Sequence, residues 1–132
     1  VLLPWLREDR DLDWVADPGP AELAGAPMRP PGDRLGPEAV RGVDVLLIPA
    51  LAVDTAGRRL GQGGGSYDRV LARLAEVPCD RRPPVVACIH DDELLDAVRH
   101  PLPEETHDRR VDAVLTPARY VDLGGIRGSS RR

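Results

Sequence analysis

The apolar positions change their period along the chain, and that change marks out the elements. Residues 1–6 (VLLPWL) and 12–16 (LDWVA) read as two short strands parted by the charged stretch 7–11. Residues 17–36 are rich in Pro and Gly and carry no period, which predicts an extended loop. Pro37 opens one helical turn over 37–40. The run 43–49 (VDVLLIP) is continuously apolar, the pattern of a strand buried on both faces. Turn residues over 50–62 predict a small hairpin or another ordered excursion. A helix then follows over 67–76, with Tyr67, Val70, Leu71 and Leu74 at i, i+3, i+4 and i+7. Residues 85–90 and 111–116 are further buried strands, and 120–123 adds an edge. Leu94, Leu95 and Val98 predict a short amphipathic helix over 91–98. Aliphatic strands alternating with helices imply an α/β fold, three layers around a mostly parallel sheet. One domain is expected over 1–123, with a small, basic, disordered tail over 124–132.

Composition narrows the function classes. A net charge of −4 argues against general nucleic-acid binding, which needs cationic excess to displace counterions. No apolar run approaches a membrane span of about 20 residues, and 1–6 is too short for a signal or anchor, so a cytoplasmic monomer with no membrane partner is expected. All 18 basic residues are arginine, a compositional bias with one chemical consequence: a phosphate clamp in this chain uses guanidinium or backbone N–H. Cys79 and Cys88 do not form a zinc pattern or suggest a disulfide, and Cys88, inside VVACIH, reads as buried. Trp5 and Trp14 read as core. Asp54, Arg58 and Asp112 read as turn or surface residues, and Arg81-Arg82 as solvated. His90 and His100 have no metal-ligand spacing.

The chemistry is concentrated in Arg59-Leu60-Gly61-Gln62-Gly63-Gly64-Gly65-Ser66-Tyr67-Asp68, a glycine-rich loop that runs into a helix. Glycines allow positive φ and close approach, so that successive N–H groups point at one anion beside the helix's positive end. Asp68, in the first helical turn, fits either a cap or a Mg²⁺ ligand. Spacing alone leaves a nucleotide-phosphate loop and a structural turn both open. The stretch lacks the Walker pattern, and a turn-rich segment, not a strand, leads into it.

The longer string is more specific. Pro49-Ala50-Leu51-Ala52-Val53-Asp54, Gly57 and then 59–68 resemble the 5-formyltetrahydrofolate cyclo-ligase signature, Pro-Gly-Leu-Ala-Phe-Asp followed by Arg-Leu-Gly-x-Gly-x-Gly-Tyr-Tyr-Asp. A second block, Glu105-Thr106-His107-Asp108-x-x-Val111-Asp112-Ala113-Val114-Leu115-Thr116, is similar to that family's Pro-His-Asp-x-x-Val-Asp-x-Val-Val-Thr. The resemblance covers residues 1–120 and implies a fold like ribose-5-phosphate isomerase and the CoA transferases. It also implies ATP- and Mg²⁺-dependent closure of 5-formyltetrahydrofolate to 5,10-methenyltetrahydrofolate, with a small-molecule folate as partner.

By the same resemblance Arg59, Leu60, Gly61, Gln62, Gly63, Gly64, Gly65, Ser66 and Tyr67 line ATP, and Gln62 through Ser66 also touch the folate. Arg59 and Tyr67 are the catalytic candidates, and Asp68 and Asp108 the metal ligands. His107 is read as structural rather than as a general base. Ser66 and Val53 depart from the family's tyrosine and phenylalanine, which weakens aromatic packing on the ligand. The family's basic N-terminal helix and an upstream acidic residue have no counterpart in the string, so a truncated start is expected. A non-catalytic nucleotide- or folate-binding remnant is the alternative to the enzyme.

Overall fold

The computed structural model describes residues 1–23, 28–61, 63–105 and 108–124. Strands β1 (Leu2–Leu6) and β2 (Leu12–Ala16) form an antiparallel hairpin, and α1 (Pro20–Leu23) is a single turn in the loop that follows. A 3₁₀ turn, Pro37–Gly42, leads to β3 (Leu46–Pro49). β4 (Ala52–Asp54) and β5 (Arg59–Leu60) make the expected small hairpin, and α2 spans Ser66–Ala75. β6 (Val85–Cys88), β7 (Leu94–Leu95), β8 (Ala113–Leu115) and β9 (Tyr120–Asp122) complete the strands.

The main sheet has the order β3-β6-β8-β9, parallel at its first two ladders and antiparallel at the last. A second sheet, β5-β4-β7, carries the glycine-loop approach, and the β1–β2 hairpin stands as a third. The α/β class is as expected. A division of the strands over three sheets is not visible in any local pattern.

The core is built where periodic stripes meet. Val70, Leu71 and Leu74 on α2 are buried, as their spacing predicts, and they pack with Ile48, Val53, Val85 and Val114. β6 lies between two neighbours, and Val85, Val86 and Ala87 are all buried. β3 corrects the expectation of a strand buried on both faces. It starts at Leu46 and alternates, with Ile48 inside and Leu47 55% exposed. The predicted helix over 91–98 is also corrected. Asp91–Glu93 form a 3₁₀ turn, and Leu94–Leu95 then pair in parallel with β4. Eight residues are too few to repay helix nucleation when a strand edge offers hydrogen bonds at once.

Several polar residues are more deeply engaged than their sequence context suggests. Asp54 is fully buried and accepts from Arg58 Nε at 2.6 Å and from the N–H groups of Ala56, Arg58 and Leu102, each at 3.0 Å. It is therefore the hub of a turn rather than a surface residue, and Arg58 is its partner. Asp112 is half-buried and accepts from Val85 N–H at 2.8 Å. Arg82 is not merely solvated: it donates to the Ala75 and Val77 carbonyls at the end of α2 (2.8 and 2.7 Å), where a cation complements the helix dipole. Cys88 is exposed. Trp14 is buried as expected, whereas Trp5 is half-buried, with Arg29 and Arg34 over its ring at 4.8 and 4.4 Å from the centroid.

Candidate functional site

Two local features shape the glycine loop. β5 brings Arg59 in by pairing with Val53, and Leu51 N–H bonds the Leu60 carbonyl at 2.8 Å. The chain then turns through Gly63 at φ +90° and Gly65 at φ +79°, conformations in which an L side chain is strained. Gly65 is the N-cap of α2, which starts with no side-chain cap. Among the described residues no side chain caps the helix's first N–H groups, and an anion is a suitable acceptor for them. Gln62 and His107 lie outside the described residues.

Arg59 joins this loop to what lies on either side of it. Its side chain is only 7% exposed, and Nη1 approaches Asp68 Oδ1 at 3.4 Å. Its guanidinium rests against Gly61, where an added Cβ would lie 3.0 Å from Nη1 and 3.2 Å from Nη2. Glycine at 61 is thus what lets the arginine lie flat against the loop. Among the described residues Arg59 Nε has no hydrogen-bond partner. A buried guanidinium N–H without an acceptor is costly, and a ligand anion would offset that cost.

Two cavities meet at Arg59, Gly61 and Asp68. One, of about 270 Å³, has Pro4, Leu6, Leu12 and Met28 as an apolar wall, and Gly63, Gly64, Gly65, Ser66 and Tyr67 opposite. Burial pushes the Tyr67 phenol above its ordinary pKa, with Arg59 opposing, so the hydroxyl stays a neutral donor near pH 7. The other cavity, of about 290 Å³, is polar and includes Arg58, Leu60, Glu104, Glu105, Asp108 and Arg109. The structure thus brings Asp68 and Asp108, 40 positions apart by number, to the walls of one cavity.

The second motif block reaches the first through Gly57. Val111 N–H donates to the Gly57 carbonyl at 2.8 Å, and a Cβ at Gly57 would stand 2.6 Å from the Val111 carbonyl oxygen. Only glycine permits that approach, and it holds the turn before β5 against Arg110 and Val111.

The metal-ligand question turns on number and type. Among the described residues no three His, Cys, Asp or Glu side chains form a complete metal-binding group. Two carboxylates on the walls of one polar cavity would nonetheless suit Mg²⁺, which keeps several waters and takes one or two protein oxygens. Asp68 has its side chain 68% exposed, and Asp108 Oδ2 accepts from Glu105 N–H at 2.8 Å.

Sequence reasoning passed over several residues around these cavities. The apolar wall is contributed by alternate positions of β1, Pro4 and Leu6, together with Leu12 and Met28. Alternation along β1 is the signal that one face has a purpose, although it does not say which. Arg109 also escaped notice: burial lowers its pKa, with Arg82 nearby adding to the effect, and its Nη1 has no partner among the described residues. Among the described residues no helix is long and apolar enough to cross a membrane.

Comparison with known proteins identifies the family. Residues 1–117 match the model of the 5-formyltetrahydrofolate cyclo-ligase family. A 5-formyltetrahydrofolate cyclo-ligase of Mycolicibacterium smegmatis is 42% identical over 128 residues, covering 92% of this chain and 61% of that protein. The Escherichia coli K12 protein of the same name is 38% identical over 77 residues, covering 58% of this chain and 38% of the relative. A solved 5,10-methenyltetrahydrofolate synthetase from Mycoplasma pneumoniae superposes with a TM-score of 0.58 at 18% identity, over 86% of this chain and 53% of that one. That likeness shows the fold. The chain spans about three fifths or less of the length of these relatives.

Proposed function

Because the chain belongs to the 5-formyltetrahydrofolate cyclo-ligase family, we propose that it carries out ATP- and Mg²⁺-dependent closure of 5-formyltetrahydrofolate to 5,10-methenyltetrahydrofolate, with release of ADP and phosphate. The observation that carries this reading is the pair of cavities, one apolar and one polar, that share Arg59, Gly61 and Asp68. A flat folate ring system suits the first, and a triphosphate with its metal ion suits the second. The shared wall is where the formyl oxygen and the terminal phosphate would meet.

Each residue has a task on this reading. Arg59 gives its unpaired Nε–H to the transferring phosphate, where negative charge is spread over the equatorial oxygens. The amides of Gly63, Gly64, Gly65 and Ser66 surround the same group and fix the formyl end. Tyr67 offers a ring face and a protonated hydroxyl. Asp68 and Asp108 would hold Mg²⁺, which would supply neutralisation of phosphate charge when bound. The formyl oxygen is a weak nucleophile, so most of the rate enhancement comes from alignment and electrostatics. A cytoplasmic, monomeric protein with a folate partner belongs to the same proposal.

The test is direct: the full chain is mixed with MgATP and 5-formyltetrahydrofolate, and the absorbance of the methenyl product is followed. Product formation that stops without ATP is the expected result. Binding of both ligands without turnover would replace the enzyme by a non-catalytic binding protein, and binding of neither would end the reading.

A further inference from the structure

The tip of the β1–β2 hairpin carries a residue that the fold strains and yet fastens in place. Arg10 has φ +70° and is, among the described residues, the one non-glycine with positive φ. Its N–H bonds the Arg7 carbonyl at 3.1 Å, and Arg7 N–H bonds the Asp11 carbonyl at 3.0 Å, so Arg10 fills the left-handed position of a tight hairpin loop where glycine is the favoured residue. The neighbours on both sides are tied to α2. Arg69 donates to the Asp9 carbonyl, and Arg73 binds the Asp11 carboxylate at 3.2 and 3.0 Å. The backbone of Arg10 is therefore held beside the start of that helix.

Its side chain ends over the glycine loop. Arg10 Nη1 lies 3.5 Å from where a Cβ on Gly64 would stand, and the guanidinium has no acceptor among the described residues. Among the described residues nothing pairs with this exposed arginine to offset its strained backbone position, where glycine would serve the turn better. Strain held at one residue, with its head group poised over a ligand loop, points to a role in the ligand complex.

We propose that Arg10 is a further anion-binding residue of this site, reaching the terminal phosphates of the nucleotide at Gly64 as Arg59 does at Gly61. The proposal rests on the nucleotide reading given above. Arg59 lies buried against Gly61, and Arg10 stands exposed beside Gly64, so the glycine loop carries a guanidinium at each of two positions. The hairpin acts as a jaw whose hinge side is fixed by Arg69 and Arg73. In a chain without lysine, this is a second fork able to bind two phosphate oxygens at once.

The substitution Arg10→Gly separates this role from a structural one, because it removes the cation and relieves the left-handed strain together. The variant should unfold no earlier than wild type in a thermal melt. Its dissociation constants for MgATP and for magnesium tripolyphosphate, measured by calorimetry, should rise about tenfold, the size of one partly exposed charge-assisted contact. Affinity for 5-formyltetrahydrofolate should be unchanged, and Arg10→Lys should fall between the two. Equal MgATP affinity in wild type and Arg10→Gly would overturn the assignment. A selective loss of folate affinity would overturn it too, by assigning Arg10 to the folate's carboxylates. Failure of wild type to bind MgATP would remove the underlying nucleotide reading instead, an outcome visible before any variant is made.

Discussion

Replacing Gly57 by alanine tests how the two motif blocks are held together. Gly57 has φ +91°, and an added Cβ would stand 2.6 Å from the Val111 carbonyl oxygen and 3.3 Å from Arg110 Cβ, where ordinary contact is 3.4–4 Å. The obstacle is backbone, so no rotamer change can relieve it. Left-handed backbone at a non-glycine costs about 1 kcal/mol, part of it offset by the stiffer unfolded chain. Moving Val111 away stretches the 2.8 Å bond from its N–H to the Gly57 carbonyl. That lost bond and the forced shift add about 1–3 kcal/mol, so Gly57→Ala should lose about 3 kcal/mol in all. Gly63 supplies the control: its φ is +90° and nothing lies within 4 Å of its added Cβ. Gly63→Ala should therefore show the conformational cost alone, about 1 kcal/mol. Urea unfolding followed by circular dichroism measures both. If the two variants lose the same stability within about 0.5 kcal/mol, the close approach of Gly57 to Val111 is not what joins the blocks, and the reasoning fails.

Three other perturbations probe the site and its support. Gly61→Ala places a methyl group against the Arg59 guanidinium, so the fold should survive while MgATP affinity falls about tenfold in calorimetry. Asp108→Asn keeps an acceptor for Glu105 N–H but removes a charge, so half-saturation of nucleotide binding should move to higher Mg²⁺ concentration, read by calorimetry across a Mg²⁺ series. Asp54→Asn breaks a buried ion pair and should cost about 3 kcal/mol at pH 7 by urea unfolding. Burial pushes the Asp54 pKa up, but the Arg58 guanidinium and three backbone N–H groups outweigh it and hold the carboxylate below its ordinary value. A depressed folded pKa stabilises above the unfolded value of about 3.9, and the gain is lost as pH falls through the folded value. The gap between wild type and Asp54→Asn should thus be widest near neutrality and close below about pH 4, and a gap that widens in acid would contradict the assignment.

Features written in a few consecutive residues were legible without coordinates. The α2 stripe of Tyr67, Val70, Leu71 and Leu74, the β4–β5 hairpin and the glycine loop all depend on local period or local φ. The two blocks that mark the family lie in readable order, and Asp68 and Asp108 could be picked from them as a pair. The 91–98 segment failed for a related reason. Two adjacent leucines serve a helix face or a strand edge equally, and the free edge of β4 decided the matter.

What folding alone decided is who meets whom. Asp54 looks like any turn aspartate until Leu102, 48 positions away, donates to it. Arg10 looks like a surface charge until Arg69 and Arg73 fix its neighbours beside the glycine loop. The two cavities exist because the Gly57 turn, the hairpin and the 108–111 segment converge on Arg59 from separate parts of the chain. Backbone period and glycine geometry are set by near neighbours, so the sequence alone determined the helix, the loop and the family signature. Desolvation and ion pairing depend on distance in space, so burial, partners and the site's two-sided shape belong to the tertiary structure.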